Sequence, residues 1–176
     1  GIDNAFPHHT NEIAQSESYI GHHWCNYWMH VLHLNTSTGK MSKSKGEFLT
    51  VSLLEEKGYD PLAYRLFCLQ SHYRKSLVFT WENLDNAAGT YKKLIAKIAA
   101  LKPSDEAIDE AVVAALREKF NKALGNDLNT SLGITALYDV LKYQTNDATK
   151  LFVLDDFDKV LSLDLLKKAA EQRKLL

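Results

Sequence analysis

Thr80-Trp81-Glu82-Asn83-Leu84-Asp85-Asn86-Ala87-Ala88-Gly89-Thr90-Tyr91-Lys92-Lys93-Leu94-Ile95-Ala96-Lys97-Ile98 is the stretch whose pattern decides the fold. Leu84, Ala87, Ala88, Tyr91, Leu94, Ile95 and Ile98 recur at three- and four-residue steps, so they share one side of a helix. Thr80 opens this helix and Pro103 marks its end. An apolar stripe of that length needs partners. Downstream, the spacing predicts helices from about Ser104 to Leu124, from Thr130 to about Tyr143, near Asp147 to Leu154, and from Ser162 onward. Asn129-Thr130-Ser131 supplies cap candidates for the second of these. Asp155 to Lys159 reads as a turn or a short helical piece. The Leu/Ala stripes are core, and the tail is a helical bundle.

Upstream of Thr80 the pattern is shorter. Thr50 or Ser52 caps a helix through Glu56, with Ser52 and Glu55 matching a capping box. Asp60-Pro61 caps and starts another, Leu62 to Gln70. Residues 1 to about 50 differ in kind, being rich in His, Trp, Tyr, Gly and Ser, the composition of a site. A helix is expected to begin near Pro7, and a short strand over Trp28 to Leu34 leads into the Lys40 loop. The chain is therefore predicted to be mainly α. Composition divides it into 1–50 (the motif-rich part), 51–79 (a connecting helical region) and 80–176 (the bundle).

The 176 residues are 45% apolar and 24% charged, enough to bury a core. No apolar run is long enough to cross a bilayer, and the expected location is the cytoplasm. Two cysteines, Cys25 and Cys68, make no disulfide framework. The net charge of −1 excludes a global basic field, so any RNA contact must use local basic groups. The start at Gly1, without an initiator Met, reads as a C-terminal fragment of a longer polypeptide.

Several short patterns carry possible chemistry. Lys40-Met41-Ser42-Lys43-Ser44, followed by Lys45-Gly46, combines lysine charge, serine hydroxyls and a glycine turn, a composition suited to phosphates. Such loops are also commonly just solvated. His8 and Glu12 stand four apart on the expected helix and share a face. An imidazole and a carboxylate are acceptable zinc ligands, with a surface hydrogen bond as the bland alternative. Ser71-His72-Tyr73-Arg74-Lys75 is basic and aromatic, fitting either RNA contact or an ordinary hinge. Lys92, Lys93 and Lys97 are either a backbone-following stripe or a solvated face.

Three blocks stand in order along the chain. They are Gly1-Ile2-Asp3-Asn4-Ala5-Phe6-Pro7-His8-His9-Thr10-Asn11-Glu12, then Asn26-Tyr27-Trp28-Met29-His30, then Lys40-Met41-Ser42-Lys43-Ser44. In order and spacing they closely resemble the cysteinyl-tRNA synthetases, which are class I aminoacyl-tRNA synthetases. The resemblance extends to about Leu166. It implies the second part of a class I nucleotide-binding, Rossmann-like α/β catalytic domain, followed by a helical bundle. The implied reaction activates cysteine with ATP and magnesium and transfers it to tRNA(Cys).

By that resemblance His8 and Glu12 are zinc ligands beside two cysteines from earlier in the family sequence. Neither cysteine is present here, so the site is incomplete and weak or no zinc binding is expected. A soft thiolate bonds zinc better than a hydroxyl does, which is how such a metal distinguishes cysteine from serine. The resemblance gives Lys43 to the ATP phosphates with Lys40 assisting, and Gly1 and Asp3 to the adenosine ribose. It places His30, with Tyr27 and Trp28, beside the amino-acid pocket. His9 orients a ligand or the substrate, or else is a capping or solvated histidine. Trp28 is a pocket residue or, the favoured reading, a core aromatic.

Tyr19-Ile20-Gly21-His22 imitates the family's H-I-G-H signature but lacks its first histidine and follows the F-P-H-H block. It reads as a helix end with a glycine stop. The true signature is absent, so the isolated chain is expected to be inactive, and most of the anticodon-reading extension is missing. The alternatives are a cysteine ligase of the mycothiol type and a non-catalytic tRNA-binding module. A monomer is favoured.

Overall fold

The computed structural model describes residues 1–37, 39–40 and 49–175. Eight α-helices and three short strands follow one another among them. They are α1 (Thr10–Ile20), β1 (Leu34–Thr36), β2 (Gly39–Lys40), α2 (Val51–Glu56), α3 (Pro61–Leu69), β3 (Leu77–Phe79), α4 (Trp81–Ala99), α5 (Glu110–Gly125), α6 (Thr130–Lys142), α7 (Asp147–Leu161) and α8 (Leu165–Arg173). The chain is mainly α, as its periodicity predicts. Compactness divides it differently from composition: residues 1–48 with 73–79 form one unit, and 49–72 with 80–176 the other.

In the first unit, β1 lies between the other two strands. It runs antiparallel to β2 and parallel to β3, with Leu34 opposite Leu77 and Thr36 opposite Phe79. This pairing draws residues 73–79 into the unit, helped by the Leu32 amide donating to the Tyr73 carbonyl at 3.0 Å. The expected strand over 28–34 instead begins at Leu34. The helix expected near Pro7 becomes regular only at Thr10, after an irregular turn in which Phe6 is extended (φ −138°, ψ 133°).

The second unit is the bundle. Thr80 caps α4 by accepting from the Asn83 amide at 3.0 Å. On α4 Leu84, Ala87, Tyr91, Leu94, Ile95 and Ile98 are buried, while Ala88 of the predicted stripe is half-buried at its edge. Helix α4 packs on α3 and α8, and α5 on α6. Phe120 of α5 and Phe157 of α7 stack 4.0 Å apart, which fills the centre between those helices. Thr50, Asp60, Asp109, Asn129 and Asn146 each accept amides at the start of their helices. The cap of α2 is therefore Thr50, not the Ser52–Glu55 box.

Helix ends are closed from other helices. The Arg173 guanidinium donates to the Ala99 and Ile98 carbonyls at the end of α4, at 3.0 and 3.3 Å. Arg65 donates to the Leu161 carbonyl ending α7 at 2.6 Å. Both place a cation against orphan carbonyls, where the backbone is electronegative. Two boundaries differ from the periodicity. Helix α5 begins at Glu110 rather than near Ser104, because Asp109 caps it while its own amide donates to Thr149 Oγ1 at 3.0 Å. Helix α7 runs unbroken through Asp155 to Lys159, because Phe157 and Leu161 continue its buried side. The break comes at Ser162 and Asp164, both left-handed (φ 53° and 51°). There the Asp158 carboxylate accepts from the Leu163 and Leu165 amides at 2.6 and 2.8 Å.

Two predictions follow from this packing. Asp158→Ala leaves two amides at the α7–α8 turn without their acceptor and is expected to destabilise the bundle by about 1–3 kcal/mol in urea unfolding. Burial works to raise the Asp60 carboxyl, but Lys168 at 2.7 Å and the Leu62 amide outweigh it and hold the group below its ordinary value. A depressed folded value stabilises above the unfolded one, about 3.9, and that stability disappears as pH falls through the folded value. Acid titration of the unfolding midpoint should show this loss, reduced in Asp60→Asn.

Candidate functional site

The chemistry-bearing side chains of the first unit lie on the approach to α1 and on the irregular segment 22–33. Two backbone bonds fix their mutual placement: Ile2 amide to Val31 carbonyl at 3.1 Å, and Leu32 amide to Tyr73 carbonyl at 3.0 Å. They lay the residue 1–3 turn against 31–33. His33 Nε2 consequently stands 3.2 Å from Asp3 Oδ1. A Cβ built on Gly1 would meet His33 Cε1 at 2.8 Å and Asp3 Oδ1 at 2.7 Å, so a larger residue there would push these two side chains aside.

A second cluster forms around His9. Its Nδ1 is 2.8 Å from His30 Nε2, one ring donating and the other accepting. The His9 ring also lies 4.7 Å from Trp28, and Trp24 meets Trp28 edge-on at 5.7 Å. His9 occupies the position just before α1 but makes no side-chain cap, and it is half-buried. The structure thus brings together His9, Trp28 and His30, from segments about twenty positions apart. Chemically this is an aromatic-walled imidazole pair with a free nitrogen on each ring for exchange of hydrogen bonds with a polar ligand.

His8 and Glu12 are both exposed, on either side of the start of α1. Among the described residues no group of three His, Cys, Asp or Glu side chains is placed to hold a metal. The pair alone therefore does not fit a zinc centre, which needs at least three protein ligands. Cys25 is not drawn to it; its thiol donates to the Tyr27 carbonyl at 3.2 Å. His23 is an exposed partner of Glu17 at 2.7 Å. Gly21 ends α1 in the left-handed region (φ 76°), its amide on the Glu17 carbonyl, as the glycine-stop reading requires. Lys40 enters β2 through its backbone, and Lys43 lies outside the described residues.

In the second unit, Cys68 is a half-buried thiol whose burial raises its pKa, although Tyr64 and Arg65 oppose that. His72 Nε2 bonds the Asp127 carbonyl at 2.8 Å, tying 71–72 to the turn after α5. Two of the three lysines of α4 stand beside different neighbours. Lys97 lies over the Tyr138 ring at 5.9 Å, toward α6, while Lys92 lines a cavity beside α8. No sequence pattern singles out His33; its approach to Asp3 depends on the backbone bond between Ile2 and Val31.

A family model described as the catalytic domain of class I tRNA synthetases (C) matches residues 1–89. The cysteine–tRNA ligase of Novosphingobium aromaticivorans is 40% identical over 179 residues, covering 95% of this chain and 36% of that protein. Cysteine–tRNA ligase 1 of Burkholderia lata is 40% identical, over 94% of this chain and 34% of its own length. The Chlamydia abortus cysteine–tRNA ligase is 37% identical, over 96% and 36%. The chain spans about a third of the length of these curated relatives.

His30→Ala removes the ring partner of His9 at a local cost of about 0.5–1.5 kcal/mol. The near-ultraviolet circular dichroism of the Trp24–Trp28 pair is expected to weaken while the far-ultraviolet spectrum stays constant. An unchanged aromatic band would show that His9 holds Trp28 without help from His30.

Proposed function

The chain belongs to the family of class I tRNA synthetase (C) catalytic domains, and on that premise we propose that it forms part of a cysteine–tRNA ligase. The observation that carries the reading is a likeness of about 40% to proteins bearing that name, continuing past the catalytic match through nearly the whole bundle. The substrates of the ligase are cysteine, ATP with magnesium, and tRNA(Cys), and its location is the cytoplasm.

Adenylate formation drives a carboxylate into the α-phosphorus and builds charge on the departing pyrophosphate. Lys43, with Lys40 beside it in sequence, is the group proposed to oppose that charge; a fixed cation helps most where charge grows. Gly1 and Asp3 accept the ribose. Asp3 is an acceptor for paired hydroxyls, and His33 orients it. His9 and His30 hold polar groups of the amino acid against the Trp28 ring. His8 and Glu12 would need two further ligands to close a tetrahedral zinc site, and no step is routed through the metal. The basic and aromatic Ser71-His72-Tyr73-Arg74-Lys75 segment is the proposed RNA contact, its residue types suiting phosphates and bases. On its own the chain is proposed not to activate cysteine, because it lacks the H-I-G-H signature.

Cysteine-dependent ATP–pyrophosphate exchange tests this reading on the chain alone and on a version carrying the additional length of the relatives. Exchange by the longer protein only, reduced about 10²-fold or more by Lys43→Ala, is the expected result. Exchange by neither favours a non-catalytic RNA-binding module. Exchange with transfer to an amino sugar instead of tRNA favours the mycothiol-type ligase.

A further inference from the structure

The bundle contains a cavity that the synthetase reading does not use. It measures about 440 Å³ and lies between the Gly58–Asp60 turn, one side of α4 and one side of α8. Ala63 and Ala88, whose short side chains leave the volume open, line its floor with Ile95 and Tyr91. On α4 it is lined at Ala88, Tyr91, Lys92 and Ile95, and on α8 at Lys168, Glu171, Gln172 and, one turn on, Leu175. Each set follows the i, i+3, i+4, i+7 spacing of one helix side, so two packed helices hold open a common groove.

The charges around it are of two kinds. Asp60 and Lys168 are spent on each other at 2.7 Å, with the second Asp60 oxygen on the Leu62 amide. Lys92 on α4 and Glu171 on α8 are exposed and stand on opposite walls. An apolar floor flanked by one cation and one anion is complementary to a ligand that is apolar in the middle and oppositely charged at its ends. The volume of about 440 Å³ falls in the range of small-ligand pockets. An extended dipeptide, about 7 Å between its termini, is of that scale and carries both charges.

We propose that the cavity between α4, α8 and the Gly58–Asp60 turn binds a zwitterion of dipeptide size with apolar side chains. The carboxylate pairs with Lys92, the ammonium with Glu171, and the side chains cover Ala63, Ala88 and Ile95. The Tyr59 hydroxyl is held by Asp85 at 2.5 Å, which keeps that ring fixed as a side wall rather than a lid. This site is independent of the ligase reading, and neither depends on the other.

The test is a titration of the ¹⁵N-labelled chain with L-leucyl-L-leucine, read by amide chemical shifts. The expected result is saturable shifts centred on Gly58, Lys92, Glu171 and Gln172, with half-saturation near about 1 mM. N-acetyl-leucyl-leucine and leucyl-leucinamide, each lacking one charge, are expected to bind about tenfold more weakly, as are Lys92→Gln and Glu171→Gln with the unmodified dipeptide. Ala88→Leu fills the floor and should abolish the shifts, with its unfolding midpoint measured alongside to show that the bundle persists. Absence of saturable shifts, shifts centred elsewhere, or equal binding of the capped peptides would each overturn the proposal.

Discussion

Burial of one side of α4 is the constraint on which the bundle rests. Leu84, Leu94 and Ile98 are fully enclosed, and α3 and α8 both lie against the helix that carries them. Each such side chain removed from water contributes about 1.5–3 kcal/mol, so a few positions on this helix outweigh any surface ion pair in the molecule. Tyr91 adds direction to that burial. Its ring is in the core while its hydroxyl donates to the Leu163 carbonyl at 2.7 Å, which pins the α7–α8 turn to the middle of α4. Burial and the nearby Asp60, Asp164, Asp158 and Glu171 raise the Tyr91 pKa, so the hydroxyl stays protonated and able to donate.

Polar groups then finish what apolar burial begins. The carbonyls ending α4 and α7 are met by arginines from α8 and α3, and the α7–α8 turn is closed by Asp158. These bonds decide where helices stop, and they are inexpensive because each group is partly solvated. The same division of labour explains the cavity beside α8. Small residues on α3 and α4 leave the volume, and the Asp60–Lys168 pair lines its edge.

The first unit is organised differently. Among its described residues only Phe79 is buried, while Phe6, Tyr19 and Tyr27 are exposed to 78%, 92% and 91%. Its order comes from backbone bonds and ring contacts: the β1–β3 pairing, the Leu32–Tyr73 bond, and the His9–Trp28–His30 cluster. The catalytic-domain family match covers this unit and ends at residue 89, within α4. The side chains proposed to bind polar ligands are thus held by backbone hydrogen bonds and ring contacts rather than by a packed core.

The sequence by itself determined the helices with strong stripes and clear caps: Thr80 for α4, Asp60-Pro61 for α3, Asn129 for α6. It also determined the family, because motif order and spacing survive without coordinates. These signals are local, and local sterics and hydrogen bonding suffice to produce them. Tertiary structure decided the rest. The three-residue strand β3 has no periodicity to read, and it exists because β1 offers it a parallel edge. Asp155 to Lys159 reads as a turn or a short helical piece, and α7 continues through it as helix because its buried side finds a partner in α5 and α6. The pairs His9–His30 and Asp3–His33 join residues 21 and 30 positions apart, and no pattern within either segment specifies which histidine meets which partner. That choice belongs to the folded backbone, which alone sets distances between residues remote in sequence.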